Sequence, residues 1–298
     1  MTRSLVLILV VALLSACSVK RMAASAVGDA VAGGGGVWSS DNDPDLVREA
    51  LPFALKTNES LLEVTPEHDG LLRTTAFGFA AYAFLLQQEA DRIEDDDRER
   101  SRHLRDRARN LYLRGRDYAL TGLEQRYDGF IAGLREDRAA TLAQTTEDDI
   151  PFLYWAGASW AGALGVAKDD LRLVAEFPTA GALIGRVLEL DPSWDEGAAD
   201  EFFISYEAGR PGGSLEVARE HYEKALELSG GERASVFLAM AESVAVREQD
   251  VRLFRKMLAK AEAIDPDARP DLRLVNVIAQ RRANWLEGRI PELFLVTE

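Results

Sequence analysis

The chain has 298 residues, of which 47% are hydrophobic, and a formal net charge of −15 at pH 7. A chain this acidic is a poor candidate for binding nucleic acid or an anionic lipid surface, because both select positive charge. Its single cysteine is Cys17, so no disulfide can form within the chain.

The first residues have the pattern of a bacterial lipoprotein signal. Arg3 precedes an apolar run over residues 5–14 that is too short to span a bilayer as a helix, and two small residues then lead to Cys17. This pattern predicts a signal peptide over residues 1–16, cleaved before a lipidated Cys17. The alternative is an ordinary signal peptide that happens to contain a cysteine. Ser18, rather than aspartate, follows the cysteine, which favours sorting to the outer membrane.

Residues 17–42 are predicted to form the lipidated end and a flexible tether. The segment is rich in alanine, glycine and serine, and Gly33–Gly36 is a run of four glycines. Such a composition cannot bury a core of its own. Trp38 is expected to dock onto the folded domain, which we place at residues 43–298.

From residue 43 onwards the pattern is one helix after another. Asp43-Pro44 is a helix start signal and Thr65-Pro66 a stop signal, which predicts a first helix ending near Leu62. Further helices are predicted over residues 67–92, 101–124 (the central helix), 129–143, 151–164 and 177–190. Acidic loops are predicted at residues 93–102 and 145–149. No alternation with a period of two persists, so no strand is predicted.

The central helix is apolar on two sides, which is typical of a helix packed between two layers. Arg114, Arg116 and Asp117 nevertheless lie in one of its turns, and Arg114 and Asp117 are spaced so that they can pair. Gly115 costs about 1 kcal/mol in helix propensity relative to alanine, which suggests that a neighbouring helix approaches closely there. One interpretation is an internal salt-bridge network. The other is a cavity where the arginines, with Tyr118, meet an anionic ligand.

Three segments in the second half of the chain end alike, at Asp191, Ser229 and Asp265, with spacings of 38 and 36 residues. The tetratricopeptide repeat has a period near 34, and its second helix commonly ends this way. Residues 61–66 look like a degenerate fourth copy. Because such hairpins bury their apolar faces only by stacking, we predict an all-α fold of irregular tetratricopeptide-like hairpins, stacked as an α-solenoid or a closed helical ring.

The order and spacing of several motifs resemble those of the T-component lipoproteins associated with some TRAP transporters, often called TatT. These motifs are Asp45–Lys56, Leu111–Leu120, Leu153–Trp155, Arg186–Asp191 and Asn276 with Gln280–Ala283. The resemblance implies an all-helical periplasmic lipoprotein that forms a homotrimer and meets the solute-binding P-component of the transporter. It also implies a groove or pore through each subunit as a ligand path, without assigning any residue to ligand contact.

Aromatic residues are the first candidates for the wall of such a groove. Tyr154, Trp155 and Trp160 lie on a predicted helix that is rich in small residues. They either line an apolar groove or pack the core, since aromatic side chains dominate cores as well. With Arg114 and Arg116 nearby, a groove walled by these residues would suit an amphipathic organic anion.

A second candidate set lies near the end of the chain. Asn276 and Gln280 are four residues apart on one helical face, and Arg281 adjoins Gln280. Inside an apolar segment such polar side chains either satisfy the backbone ends of neighbouring helices or reach a ligand. The sequence leaves both interpretations open.

Signatures of catalysis are sparse. No histidine has a second ligand at metal-binding spacing, and no nucleophile elbow, phosphate loop or dinucleotide fingerprint occurs, so neither metal nor cofactor is predicted. Glu242-Ser243 resembles the Glu-Ser pair of lytic transglycosylases, but a surface glutamate on a repeat helix explains it as well. The family resemblance implies an accessory component of a TRAP-type uptake system, and the lack of catalytic motifs agrees with a function other than that of an enzyme. The alternatives are a periplasmic scaffold for envelope assembly and a peptidoglycan-acting enzyme.

Overall fold

The computed structural model describes residues 21–296, so the predicted signal peptide and Cys17 lie outside the described residues. Within this range all regular secondary structure is helical and no strand occurs, which confirms the all-α prediction. None of these helices combines the length and the hydropathy needed to cross a membrane. The longer helices are α3 Pro44–Val64, α4 Asp69–Arg92, α5 Arg98–Arg126, α8 Ile150–Val166, α9 Leu171–Leu190, α10 Ala198–Gly209, α11 Leu215–Leu228, α14 Val251–Glu262 and α15 Arg273–Gly288.

Short helices fill the connections. They are α1 at residues 21–32, α2 Gly35–Ser39, α6 Phe130–Glu136, α7 Arg138–Ala143, α12 Ala234–Ala239, α13 Val246–Glu248 and α16 Ile290–Leu293. Two 3₁₀ turns, Glu147–Asp149 and Trp194–Glu196, precede α8 and α10. A π-helical segment, Met240–Ala245, joins α12 to α13.

Capping side chains set several helix boundaries. Asp43 accepts hydrogen bonds from the backbone of the first turn of α3, as the start signal predicted. Asp97 caps α5 in the same way, so that helix begins at Arg98 and the predicted acidic loop is shorter than expected. Asp137 ends α6 and caps α7, which splits the single helix predicted over residues 129–143.

The segment before α3 differs from the flexible segment that its composition predicted. Residues 21–32 are helical and pack on the start of α4, where a Cβ on Gly28 would come within 2.7 Å of the His68 ring. The absence of a side chain at this position permits the close approach. Trp38 packs against a small cluster of Val47, Leu51 and Leu85, so its predicted docking is confirmed.

The second half contains three helical hairpins, α8 with α9, α10 with α11, and the α12–α13 segment with α14. Their second helices end at Leu190, Leu228 and Glu262, within three residues of the predicted repeat ends. One apolar core draws on α3–α9 and a second on α11–α16. Helix α10 contributes to both, with Ala199 and Phe203 in the first and Ile204 and Ala208 in the second. The repeat pattern therefore predicted the ends of three helical hairpins correctly. The segments that join the hairpins are irregular, as the uneven repeat spacing suggested.

Helix α15 contacts the first helices of the chain. Arg281 pairs with Asp45 of α3 at 2.9 Å, and Arg282 pairs with Asp91 of α4 at 2.9 Å. Apolar side chains of α15 also pack against the small cluster that holds Trp38. The last long helix is therefore tied to the N-terminal helices by ion pairs and by apolar packing.

Candidate ligand-binding site

One arginine of the central helix is held by a carboxylate on another helix. Arg114 pairs with Glu59 of α3, so the predicted pairing of Arg114 with Asp117 is wrong. Glu59 also accepts hydrogen bonds from the Tyr118 hydroxyl at 2.8 Å and from Lys56 at 2.7 Å. Burial opposes ionisation of Glu59, but the hydrogen bonds from Lys56 and Tyr118 hold its pKa below the usual value. Burial, with the hydrogen bond to Glu59, raises the pKa of Tyr118 to about 12.

Asp117 lies on the solvent side of α5, and its side chain is 62% exposed. It accepts a hydrogen bond from the neighbouring Arg116 at 2.7 Å. The Arg116 guanidinium lies 4.7 Å from the centre of the Trp160 ring. The internal salt-bridge network therefore exists, but it joins α5 to α3 through Glu59, and Asp117 has no part in its buried portion.

The three candidate aromatic residues of α8 do not share one wall. Trp160 is buried and donates from Nε1 to Glu176 of α9 at 3.1 Å, so it packs the core. Tyr154 and Trp155 are only partly buried. Positions 155 and 160 differ by about 140° around a helix, since each residue turns the chain by about 100°. The structure therefore separates Trp160 and its neighbour Arg116 from Tyr154 and Trp155.

Tyr154 and Trp155 belong to a continuous row of aromatic side chains. The Phe77 ring of α4 lies 4.8 Å from that of Trp155, Trp155 lies 5.1 Å from Tyr154, and Tyr154 lies 4.8 Å from Trp194 (centroid distances). We call Phe77, Trp155, Tyr154 and Trp194 the aromatic row. Phe77 is 44% exposed and the other three are partly buried. A row of large aromatic faces that remain partly open to solvent is a surface on which an apolar molecule can lie.

Charged groups lie near Tyr154 and Trp194, at one end of the aromatic row. Arg233, the residue before α12, donates to the Asp195 carboxylate at 3.3 Å and to the Asp195 carbonyl oxygen at 3.1 Å. Glu201 of α10 lies close enough for its charge and that of Arg233 to affect each other and the Tyr154 hydroxyl. Burial raises the pKa of Glu201, against the opposing effect of Arg233. Burial likewise raises the pKa of Tyr154, and the charge of Glu201 adds to this shift.

The turn that carries Trp194 has an unusual backbone. Asp195 and Glu196 both have positive φ, at 45° and 55°, and Gly197 follows at 85°. Residues other than glycine adopt this left-handed region at a cost of about 1 kcal/mol or more, so surrounding contacts must hold them there. Arg233 binds Asp195, and Arg269 pairs with Glu196 at 2.6 Å. Two arginines of the second half thus fix the position of Trp194.

The polar candidates on α15 cap helices. Asn276 is fully buried; its Oδ1 accepts from the Ala234 N–H at 2.9 Å, and its Nδ2 donates to the Glu232 carbonyl oxygen at 2.9 Å. Gln280 donates to backbone carbonyl oxygens at the end of α14, including that of Ile264 at 2.6 Å. Of the two interpretations that the sequence left open, the structure supports the one in which these side chains satisfy backbone ends.

Glu242 and Ser243 lie in the π-helical segment and have structural partners. Glu242 pairs with Arg282 at 2.7 Å, and the Ser243 hydroxyl lies 2.8 Å from that of Ser205. A π-helical turn is rare and frequent at functional sites, but here it places Glu242 in an ion pair. Across residues 21–296, no three histidine, cysteine, aspartate or glutamate side chains are grouped as a metal site would need.

The sequence indicated part of this site. The helix of small residues points to Tyr154 and Trp155, whereas Phe77 comes from α4, Trp194 from the 3₁₀ turn and Arg233 from the residue before α12. These three carry no local signature, because only the packing of distant helices brings them to the same surface. The other candidates of the central helix lie away from the aromatic row. Glu59 binds Arg114 and Tyr118, and Arg116 lies over the Trp160 ring.

Comparison with known proteins adds the family. The model of the TRAP transporter T-component family matches residues 40–294, nearly the whole of the described chain. An uncharacterized protein of Treponema pallidum (strain Nichols) is 30% identical over 267 residues, which cover 87% of this chain and 83% of that protein. The matched region contains every helix from α3 to α15, as well as the aromatic row.

Proposed function

Because the chain belongs to the TRAP transporter T-component family, we propose that it serves a TRAP-type solute uptake system by binding that system's solute-binding P-component. The family match, which covers residues 40–294, carries this proposal. Helical hairpins that stack on one another present extended surfaces to partners, and such surfaces suit binding rather than catalysis.

The same proposal includes a ligand. The aromatic row offers apolar faces that are partly open to solvent, beside the charged groups of Arg233 and Glu201. An organic molecule with an apolar part would lie along these rings and be passed to or received from the P-component. Arg114, Arg116 and Trp160, which the sequence also suggested for this role, have no part in it, because they are held in other contacts.

Attachment to the membrane is a further part of the proposal. Cys17 lies outside the described residues, and its sequence context favours lipidation and an outer-membrane location on the periplasmic side. Replacing Cys17 with serine would move the chain out of the membrane fraction or leave it as unprocessed precursor. Unchanged fractionation of this variant, with unchanged lipid labelling, would rule the anchor out.

Sedimentation velocity of the mature chain, alone and mixed with its solute-binding protein, tests the proposed partner. We expect a self-associated species, a homotrimer, and a faster species once the solute-binding protein is added. If the chain stays monomeric and does not bind the solute-binding protein at concentrations of about tens of micromolar, where weak complexes form, the periplasmic scaffold function would be favoured instead.

A further inference from the structure

The outer side of α1 is apolar and remains exposed in the described chain. Its exposed apolar residues are spaced so that they share one side of the helix. They are Met22, Ala23, Ala26, Val27 and Ala30, which we call the apolar face of α1. Met22 is 68% exposed and Val27 is 50% exposed. The charged residues of α1 have partners on the neighbouring loop, since Arg21 pairs with Glu67 at 3.3 Å and Asp29 lies 3.4 Å from His68 Nε2.

The opposite side of α1 packs on the folded domain. Ala24 is buried, and Val31 packs against the core that draws on α3–α9. His68 Nδ1 accepts from the Leu71 N–H at 3.3 Å, so Nε2 carries the proton and donates to the Ser25 carbonyl oxygen at 3.2 Å. The apolar face therefore has a fixed position beside the start of α4.

The proposed lipid anchor lies very close to α1 in the sequence. Cys17 and Arg21 are four residues apart, and four Cα–Cα steps of about 3.8 Å span at most about 15 Å in any conformation. Helix α4 has 24 residues, which makes it about 36 Å long, so a bilayer that holds Cys17 is much nearer to the start of α4 than its end can be when the helix stands upright. The surface next to the anchor is that of α1.

Ion pairs neutralise the carboxylates nearest to α1. Asp69, at the start of α4, pairs with Arg73 and, at 2.6 Å, with Arg126. Glu67 pairs with Arg21. Unpaired carboxylates would be repelled by the phosphates of lipid head groups, so this pairing favours contact between this end of the molecule and a membrane.

We propose that the apolar face of α1 lies in the interfacial layer of the bilayer to which Cys17 is anchored, and so orients the domain on the membrane. The inference rests on the proposed lipidation of Cys17 and names the surface that the anchor brings to the lipid. An amphipathic helix of this kind buries its apolar side by about 5–10 Å at the boundary between head groups and acyl chains. The acyl chains on Cys17 supply the affinity, and the apolar face determines which side of the domain meets the lipid.

Fluorescence quenching in phosphatidylcholine vesicles measures how deeply α1 lies. Because Cys17 is the only cysteine and its sulfur carries lipid in the anchored chain, a cysteine introduced elsewhere is labelled alone. The fluorophore NBD is attached to Ala26→Cys, on the apolar face, or to Asp96→Cys, an exposed residue beyond the far end of α4. Phosphatidylcholine with a nitroxide on its acyl chain is the quencher. It should quench the label at position 26 several-fold more strongly than the label at position 96.

A charge on the apolar face tests whether that face causes the contact. Val27→Glu should reduce quenching of the position-26 label to nearly the level at position 96, because a carboxylate resists burial in lipid. Phe53→Glu is the matched control, since Phe53 is 80% exposed on α3 and the change in charge is the same. It should leave the quenching unchanged. If Val27→Glu does not fold, the comparison of the two labels still decides.

Flotation of the vesicles in a density gradient separates this inference from the anchor on which it rests. A labelled chain that does not float with the vesicles lacks the anchor, and the inference fails with it. A chain that floats, but whose position-26 label is quenched no more than the position-96 label, keeps the anchor and overturns the orientation. Equal quenching in wild type and a folded Val27→Glu variant would also contradict the proposal. None of these outcomes bears on binding of the P-component.

Discussion

Asn276 caps a helix with both polar atoms of its side-chain amide, so we expect its contribution to the stability of the fold to be large. Both of its hydrogen bonds go to the backbone around the start of α12, and the side chain is fully buried. Asn276→Ala should lower the free energy of unfolding by about 2–4 kcal/mol, because it leaves a buried N–H without its acceptor and a partly buried carbonyl without its donor. Urea denaturation measures this difference.

Asp117→Ala is the control for that experiment. The pairing suggested by helical spacing would have made Asp117 important, but its carboxylate is exposed and bonded only to Arg116 among the described residues. We expect the urea midpoint of Asp117→Ala to stay close to wild type. If Asp117→Ala were as destabilising as Asn276→Ala, Asp117 would have to be part of a buried network rather than exposed.

Asp149 gives a residue-scale prediction about pH. Burial opposes its ionisation, but hydrogen bonds from Tyr127, Thr146 and Arg126 hold its pKa below the usual value. A lowered folded-state pKa stabilises the fold above the unfolded value, about 4, and this contribution is lost as the pH falls through the folded value. The difference in unfolding free energy between wild type and Asp149→Asn should therefore be largest at neutral pH and shrink below about pH 4.

Asp148→Asn controls for a general effect of charge, since the Asp148 side chain is exposed on the same turn. Its difference from wild type should be small at every pH. A wild-type advantage over Asp149→Asn that persisted undiminished at about pH 3 would show that ionisation of Asp149 does not stabilise the fold.

Residue-level inference from the sequence succeeded where the partner is local and failed where it is distant. The capping of α3 by Asp43 depends on neighbours two and three residues away, and it was predicted. The helical spacing would allow Arg114 to pair with Asp117, but Arg114 pairs instead with Glu59 of a different helix. The same limit hid Trp194, whose ring packs against Tyr154 only in the folded chain, and Arg233, which binds the adjacent Asp195.

Helices α4 and α5 approach each other closely at Gly115. A Cβ at this position would lie 2.9 Å from the Ala76 carbonyl oxygen and 3.3 Å from the Ala80 nitrogen. Backbone atoms cannot move aside as a flexible side chain can. Gly115→Ala should therefore destabilise the fold by about 1–3 kcal/mol, although alanine is the better helix former by about 1 kcal/mol.

Gly165→Ala is the matched substitution in the last turn of α8, where a Cβ would meet nothing within 4 Å. It should be neutral or slightly stabilising, because only helix propensity changes. Thermal unfolding of the two variants separates these outcomes. A Gly115→Ala variant as stable as Gly165→Ala would mean that α4 and α5 are farther apart than described.

Sequence patterns predict some helix boundaries well and others poorly. Turn and cap signals placed the ends of α3 and the repeat hairpins well, because these signals act locally. Residues 21–32 read as a tether because alanine and glycine rarely build a core, but the same small residues let α1 lie close against His68. Composition alone cannot distinguish these outcomes, since the second depends on the surface that α4 presents.

At the scale of the whole molecule, Arg282 connects the two halves of the chain. It pairs with Asp91 of α4 and Glu242 of the π-helical segment and lies over the Trp285 ring at 4.2 Å, with only 13% of its side chain exposed. Arg282→Ala should lower the free energy of unfolding by about 2–4 kcal/mol, since it leaves two carboxylates without their shared partner.

The neighbouring residue supplies the control. Arg281 pairs with Asp45, but both side chains are about half exposed, and pairs of that kind contribute little. Arg281→Ala should unfold at nearly the wild-type urea concentration. Equal stability of the two alanine variants would show that the ion pairs of Arg282 do not hold the last long helix to the first ones.

Native mass spectrometry of the gently purified chain, mixed with its solute-binding P-component, tests directly whether the two proteins bind each other. One spectrum reports the number of copies, the bound partner and any retained small molecule. The proposed function predicts assemblies of several copies that also carry the P-component. Bare monomers beside free P-component, over the concentrations at which weak complexes form, would contradict it.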